Sequence, residues 1–234
     1  MIRPTRTSPE HALFVAKKIH ARLVYDMAAH EGNPLTFPEI QTLLEGITVG
    51  GRRIEDQDQA LRISKGWKCV IRWIEDGAFR LSMETAIHLN TIVARGEALE
   101  TGRLRSGGVG IQGTNYRPPP PETLETRFRQ LIEETERAAL PESAYRYFLA
   151  AAANQFFWDG NKRTALLLMN ALLLRDGFLP VSIPAGRHLD YNRKMLRYYE
   201  TADPSEMIGF LADCAAEIAA PFWPVATSAP GETF

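Results

Sequence analysis

Two cysteines in 234 residues, Cys69 and Cys214, stand far apart and show no Cys-x-x-Cys spacing. Neither a disulfide framework nor a cysteine-built zinc site fits that count, and a reducing cytoplasm is the expected compartment. A surplus of one charge is also missing. Lys and Arg total 27 against 28 Asp and Glu, a formal net charge of −1. That balance lacks the basic excess of a typical nucleic-acid binder, so no nucleic-acid partner is expected. Long hydrophobic runs are absent as well. The longest, residues 165–174, is interrupted by Asn170 and falls far short of the roughly 20 residues that cross a bilayer. No membrane partner is expected. The basic residues at the N-terminus have no apolar stretch behind them and do not read as a secretory signal, while export by a specialised secretion machine leaves no mark at this level. The five histidines show no metal-ligand spacing.

What is present is helical punctuation. Apolar positions Leu13, Val15, Ala16, Ile19, Leu23 and Met27 recur at helical spacing after Ser8-Pro9-Glu10, and Gly32 closes the segment. This makes residues 1–35 an N-terminal helix. Thr36-Phe37-Pro38-Glu39 has the form of a capping box, opening a short helix that ends at Glu45-Gly46. A longer helix is expected over about 55–76, and Ser82 caps the next. Residues 97–121 break the pattern with five glycines and then Pro118 to Pro121. Val109 and Ile111 alternate with small residues there, so a small hairpin flap is expected over 107–117. Helical periodicity returns at Glu122 and continues to about Ala219. Residues 225–234 read as a flexible tail. The expected class is all-α, a helical bundle with a small β-hairpin flap.

The chemistry concentrates in Tyr145–Arg175. Two apolar helices are joined by Phe157-Trp158-Asp159-Gly160-Asn161-Lys162-Arg163. A helix start presents free N–H groups and partial positive charge, which suits an anion. Lys162 and Arg163 add full charges, and Asp159 offers a carboxylate for Mg²⁺ bridging to phosphate oxygens. Gly160 permits close approach of a ligand to the backbone. A nucleotide di- or triphosphate suits these parts. The plainer alternative, ordinary capping with solvated cations, carries equal weight on physical grounds.

This stretch resembles the signature of the Fic (filamentation induced by cAMP) family, written HPFxDGN(G/K)R. Phe157, Asp159, Gly160, Asn161, Lys162 and Arg163 match it without gaps. His88, Gly102-Arg103-Leu104-Arg105 and Val109-Gly110-Ile111 resemble the family's linker and flap, and the likeness covers about residues 36–200 within an expected Fic-like domain of 36–224, with 155–163 as its motif loop. The resemblance implies an ATP or other adenine-nucleotide site with Mg²⁺, using Asp159 for the metal and Gly160, Asn161, Lys162 and Arg163 for the phosphates. In active members the motif histidine deprotonates a target hydroxyl, which attacks the α-phosphate of ATP and becomes AMP-modified. That histidine falls at Gln155 here, and the family's proline falls at Phe156. A glutamine amide cannot take the proton near neutral pH, and loss of a general base costs roughly 10²- to 10⁴-fold. The resemblance therefore implies a protein adenylyltransferase relative with crippled chemistry. A non-catalytic binding module is an alternative, as is a phosphotransferase similar to the death-on-curing toxins, which share Asp-Gly-Asn-Lys-Arg but keep the histidine.

Leu166 stands where many AMP-transferring members carry a second arginine. Residues 36–50 resemble the family's inhibitory helix, (S/T)xxxE(G/N), through Glu45 and Gly46, although Gln41 occupies the Ser/Thr position; a simple helix end is the alternative. The flap residues Val109, Gly110, Ile111, Gln112 and Gly113 are expected to pair with an extended segment of a protein target. A homo-oligomer is left open.

Overall fold

The computed structural model describes residues 6–222, so Trp223 and the tail expected over 225–234 lie outside the described residues. The element order is α1 (Pro9–Lys18), α2 (His20–His30), α3 (Phe37–Leu44), α4 (Ile54–Glu75), α5 (Met83–Val93), α6 (Leu124–Arg137), α7 (Glu142–Asn154), α8 (Asn161–Arg175), α9 (His188–Thr201) and α10 (Ser205–Ala219). The class is all-α, as expected. Among the described residues, no helix is long and apolar enough to cross a membrane.

Local chemistry accounts for the starts. Ser8 accepts from the His11 N–H, Thr36 and Glu39 complete a capping box, and Ser82 with Thr85 completes another; each satisfies donors that the first helical turn leaves free. One expected N-terminal helix is in fact two. Ile19 leaves helical geometry, with φ −101° and ψ 14°, yet hydrogen bonds run on through it from Ile19 N to Val15 O and from Leu23 N to Ile19 O. The apolar stripe therefore continues across the bend, and spacing alone does not reveal it.

α8 forms the centre. Thirteen of its fifteen residues are buried, the mark of a helix apolar on all sides because it has neighbours on all sides. It packs most extensively on α7, and also on α4 and α5. Asn170, which interrupts the apolar run, is fully buried and spends its amide on Val181, donating to its carbonyl and accepting from its N–H at 2.7 Å. Asp26 of α2 does the same nearby, accepting from Arg22, from the Ser182 hydroxyl and from Ala185 N–H. The two together seat residues 181–185, which lead into α9.

The hairpin flap does not form. Residues 107–117 contain no strand, and the one β-bridge among the described residues joins Arg6 to Phe178. The alternation is there, with Val109 and Ile111 half-buried and Gly110 and Gln112 exposed. What is missing is a partner strand: Gly113 turns at φ +82°, and the prolines that follow have no N–H to give a ladder.

Thr7 N donates to Gly177 O at 2.7 Å, closing the N-terminus onto the end of α8. Gly177 has φ +78°, and a Cβ there would lie 2.2 Å from the Thr7 carbonyl oxygen. Gly177→Ala is expected to cost about 1–3 kcal/mol and lower the melting temperature by several degrees. An unchanged thermal melt would show that this closure contributes nothing.

Candidate nucleotide site

The loop between α7 and α8 is braced from every side. α7 is capped by Gln155, a left-handed residue with φ +47°. Its side chain is held at both ends, the Nε2 donating to Ala152 O at 2.6 Å and the Oε1 accepting from Asn161 Nδ2 at 3.1 Å. Asn161 also accepts from Phe157 N and donates to Phe157 O, both at 2.8 Å. Expected as a phosphate ligand, Asn161 is instead buried and occupied within the loop. Asn90 of α5 donates to Asp159 O and to the Thr164 hydroxyl. Phe156 is buried edge-on against Phe128, 4.6 Å between centroids.

Gly160 has a structural reason to be glycine. Its φ is +70°, and a Cβ would sit 2.9 Å from the Ala94 Cβ. Glycine is required there for close packing on the end of α5.

Arg105 supplies a clamp that spacing does not reveal. The guanidinium is buried and donates to the carbonyls of Gln155 and Gly107 at 2.5 Å, and to that of Pro119. Its backbone N–H bonds Phe156 O. One side chain thus ties the motif loop to both ends of the flap segment, with carbonyls in place of a counter-ion.

Arg163 is 2% exposed. Nη1 donates to Val93 O and Nη2 to Glu97, both at 2.6 Å, with Asp159 at 3.4 Å. Its Nε lies 3.2 Å from Glu31 Oε2, an ionic contact in which the N–H is not aimed at the carboxylate. Burial opposes the charge, but Glu31, Glu97 and Asp159 outweigh it and hold the guanidinium above its ordinary pKa. Glu97 is likewise resisted by burial yet held below the usual carboxylate range by Arg163 and Arg62.

Two hollows flank this network. The larger, about 480 Å³, is lined by Gly110, Ile111 and Gln112 of the flap, by Gln155, Asp159 and Lys162, and by Asn192, Met195, Leu196 and Tyr199 of α9. That volume suits a small-molecule ligand. The smaller, on the other side of Lys162, is only about 20 Å³ and is bounded by His30, Glu31, Arg163, Leu166 and Tyr191 among others, room for about one water. The end of α2 fills the space next to Arg163.

With this geometry in view, comparison with known proteins bears on the family. Residues 80–173 match the family model described as Fic/DOC family. The Fic/DOC match is to this stretch of the chain. A protein adenylyltransferase Fic of Nematostella vectensis is 28% identical over 211 residues, covering 85% of this chain and 47% of the relative. Another, of Drosophila persimilis, is 26% identical over 206 residues, covering 85% and 40%. The chain spans less than half the length of these curated relatives. Fic-1 of C. elegans superposes with a TM-score of 0.74 at 20% identity over 88% of this chain and 64% of that one. A Fic domain containing signaling protein of Bacteroides thetaiotaomicron gives 0.74 at 20% over 90% and 88%. At such identities the structural likeness carries the fold.

Within the Fic domain, Gln155, Asp159 and Lys162 meet the flap residues around one cavity, whereas Gly160, Asn161 and Arg163 are structural from that side. Glu45 and Gly46 form the exposed end of α3; the glutamate against the motif arginine is Glu31, which is followed by Gly32. The same Glu-Gly pair ends both α2 and α3, and only the packing of α2 on the core shows which one reaches Arg163. Among the described residues, no cluster of three or more His, Cys, Asp or Glu could hold a metal on protein ligands alone. Asp159 is exposed, lines the cavity and accepts from Gly160 N–H through one oxygen at 2.5 Å. A single free-facing carboxylate fits a magnesium ion that takes its other ligands from phosphate and water.

Proposed function

We propose that this Fic domain binds an adenine nucleotide in the cavity between the motif loop, the flap and α9, and that its transfer chemistry is impaired. The observation that carries the reading is Gln155. It sits in the cavity wall beside Asp159 and Lys162, at the family's base position, with its amide already committed to Ala152 and Asn161. Neutral at every ordinary pH, it can hydrogen-bond a hydroxyl but cannot remove its proton. Lys162 would meet phosphate oxygens, and Asp159 would hold the magnesium, which when bound neutralises phosphate charge. Glu31 takes the role expected of Glu45: its carboxylate lies where a terminal phosphate would approach Arg163, so nucleotide and Glu31 compete for one cation.

The flap supports a protein target. Residues 109–111 have no ladder partner before the chain turns at Gln112 and Gly113, so their N–H and C=O groups are available to an added strand. The bound state of such a domain without turnover is a nucleotide-regulated binding module, which the tied Gln155 favours over a phosphotransferase similar to the death-on-curing toxins. A cytoplasmic setting fits the free cysteines.

Titration calorimetry with ATP, ADP and AMP in Mg²⁺ tests the site. Binding is expected to be weak in the parent and tighter in Glu31→Gly. Lys162→Met in the Glu31→Gly background is expected to lose about 1.5–3 kcal/mol, the worth of a hydrogen bond to a charged group, or roughly 10- to 150-fold in Kd. Absence of binding in Glu31→Gly would remove the nucleotide from the reading.

A further inference from the structure

Two histidines distant in sequence meet beside the Glu31–Arg163 contact. His30 is the last residue of α2 and His188 the first of α9. Their Nδ1 atoms are 3.0 Å apart, and the rings lie within 20° of parallel with centroids separated by 5.1 Å, so they meet edge to edge. The outer nitrogens are also engaged: His30 Nε2 lies 2.9 Å from Ile183 O, and His188 Nε2 lies 2.7 Å from Asn192 Nδ2.

These partners determine the protons. A carbonyl only accepts, so His30 carries its proton on Nε2 and its Nδ1 is bare. An amide nitrogen only donates, so His188 Nε2 is bare and its proton sits on Nδ1, pointing at His30 Nδ1. The chain runs from Asn192 through His188 and His30 to Ile183, with both rings neutral, one tautomer each and every ring nitrogen satisfied. A further proton has no acceptor. On His188 Nε2 it would face the Asn192 N–H groups until that amide turned over. On His30 Nδ1 as well, it would face another N–H and leave two cations in contact.

The surroundings give little relief. From α2, Asp26 and Glu31 are near, but Asp26 already serves Arg22, Ser182 and Ala185, and Glu31 faces Arg163. From α8, Lys162 adds positive charge, and from α9, Tyr191 lies edge-on to His30 at 4.9 Å. Burial chiefly holds the His30 pKa below the ordinary imidazole value. His188 and Lys162 act in the same direction, against the Ile183 bond and Asp26.

Each end of the chain touches the candidate site. His30 precedes Glu31, which fills the space against Arg163, and Asn192 lines the large cavity beside Gln155 and Asp159. We propose that the His30–His188 pair is a proton-operated latch on the nucleotide cleft, closed when both rings are neutral and opened by protonation, which separates α2 from α9 and loosens Glu31 from Arg163. The latch rests on the reading of the cleft as a nucleotide site. Because the closed form holds His30 neutral, it loses stability relative to the open form as pH falls below about 6.5, the ordinary imidazole value.

Two measurements on the full chain test this independently. The first is Mg-ATP affinity between pH 8 and 5.5 for the parent and for Glu31→Gly, which lacks the carboxylate that the latch controls. The γ-phosphate titrates in the same range, so the ratio of the two affinities is the readout. Glu31→Gly is expected to bind more tightly at pH 8, and the gap is expected to close by up to about tenfold per pH unit below 6.5 for each linked proton. His188→Asn should leave the gap independent of pH. A gap constant in the parent, with binding intact, would overturn the latch. The second measurement needs no nucleotide: ¹⁵N chemical shifts of the imidazoles. The latch requires the Nε2–H form at His30, the Nδ1–H form at His188, and coupled titration. Two rings titrating independently near the ordinary value would overturn it. If Glu31→Gly binds no nucleotide, the functional reading fails and the ¹⁵N titration alone decides whether the proton-linked pair exists.

Discussion

Arg163→Met is expected to lower the unfolding free energy by about 3–5 kcal/mol, the scale seen when one partner of a buried ion pair is removed. The methionine fills much of the volume, so the loss is electrostatic more than a cavity effect. Glu97 would keep its half-buried position, with Arg62 as its remaining cation, and the Val93 carbonyl would lose its donor. Glu31 and Asp159 would lose the cation they share. Urea denaturation at pH 7 measures the change. As the pH falls through the carboxylate range, the difference between variant and parent should shrink: protonation removes the uncompensated charge from the variant and the ion-pair contribution from the parent. Glu97 is held below its usual range in the parent, so its share of the parent's stability is present above that range and is lost on acidification. A change below about 1 kcal/mol at pH 7 would place Arg163 with ordinary surface substitutions and show that its role is contact with a ligand. A large change would mean that weakened nucleotide binding in an Arg163 variant cannot be read as a lost phosphate contact. Lys162, half-buried and on the cavity wall, is the cation whose removal reports on the ligand.

The helices were legible where side chains act on their own backbone. Ser8, Thr36 and Ser82 cap within three residues, and the all-apolar α8 announces a core helix. The bend at Ile19 was not legible, because hydrogen bonds and the apolar stripe both pass through it. The flap was half legible: alternation marks extended chain, but a strand needs a partner, and no local pattern supplies one. In the motif, residue types revealed the family while their duties stayed hidden. Asn161, Gly160 and Arg163 are the residues an anion site uses, yet each is taken up by neighbours: Asn161 by its own loop, Gly160 by α5, and Arg163 by Val93, Glu97 and Glu31. Those contacts span up to 132 positions of chain, between Glu31 and Arg163, and charge spacing carries no information about them. For the same reason the sequence points to Glu45 and not to Glu31, and neither the contacts of the Arg105 clamp nor the His30–His188 pair, 158 residues apart, can be read from spacing.

Restoring a base at position 155 gives the most direct test of function. Gln155→His combined with Glu31→Gly is expected to raise AMP transfer, to itself or to a protein target, by at least about 10²-fold over the parent, the lower end of what a general base supplies. Glu31→Gly replaces the substitution at Glu45 that sequence alone would choose, since Glu45 is exposed and Glu31 lies against Arg163. The backbone at 155 is already held in the left-handed region by Arg105, which accepts no change in the position of the Gln155 carbonyl without losing its own partner. An imidazole introduced there therefore starts from a fixed Cβ facing the cavity that Asp159 and Lys162 line. Asn161 Nδ2, released from Gln155 Oε1, can donate to the bare nitrogen of the new ring, which would orient it and compete for its lone pair. Incorporation of labelled AMP in Mg-ATP reads the gain, and a pH profile separates base catalysis from mere occupancy. A restored base should give a rate that rises with pH through the imidazole range and then levels. Glu31→Gly alone should bind nucleotide without transferring it. A double variant that binds ATP and transfers nothing would mean that Phe156, wedged against Phe128 where the family has proline, or another departure disables the chemistry, and the domain would then be a binding module. Transfer by the unmodified chain at a comparable rate would show that positioning suffices at this site and that Gln155 is no impairment.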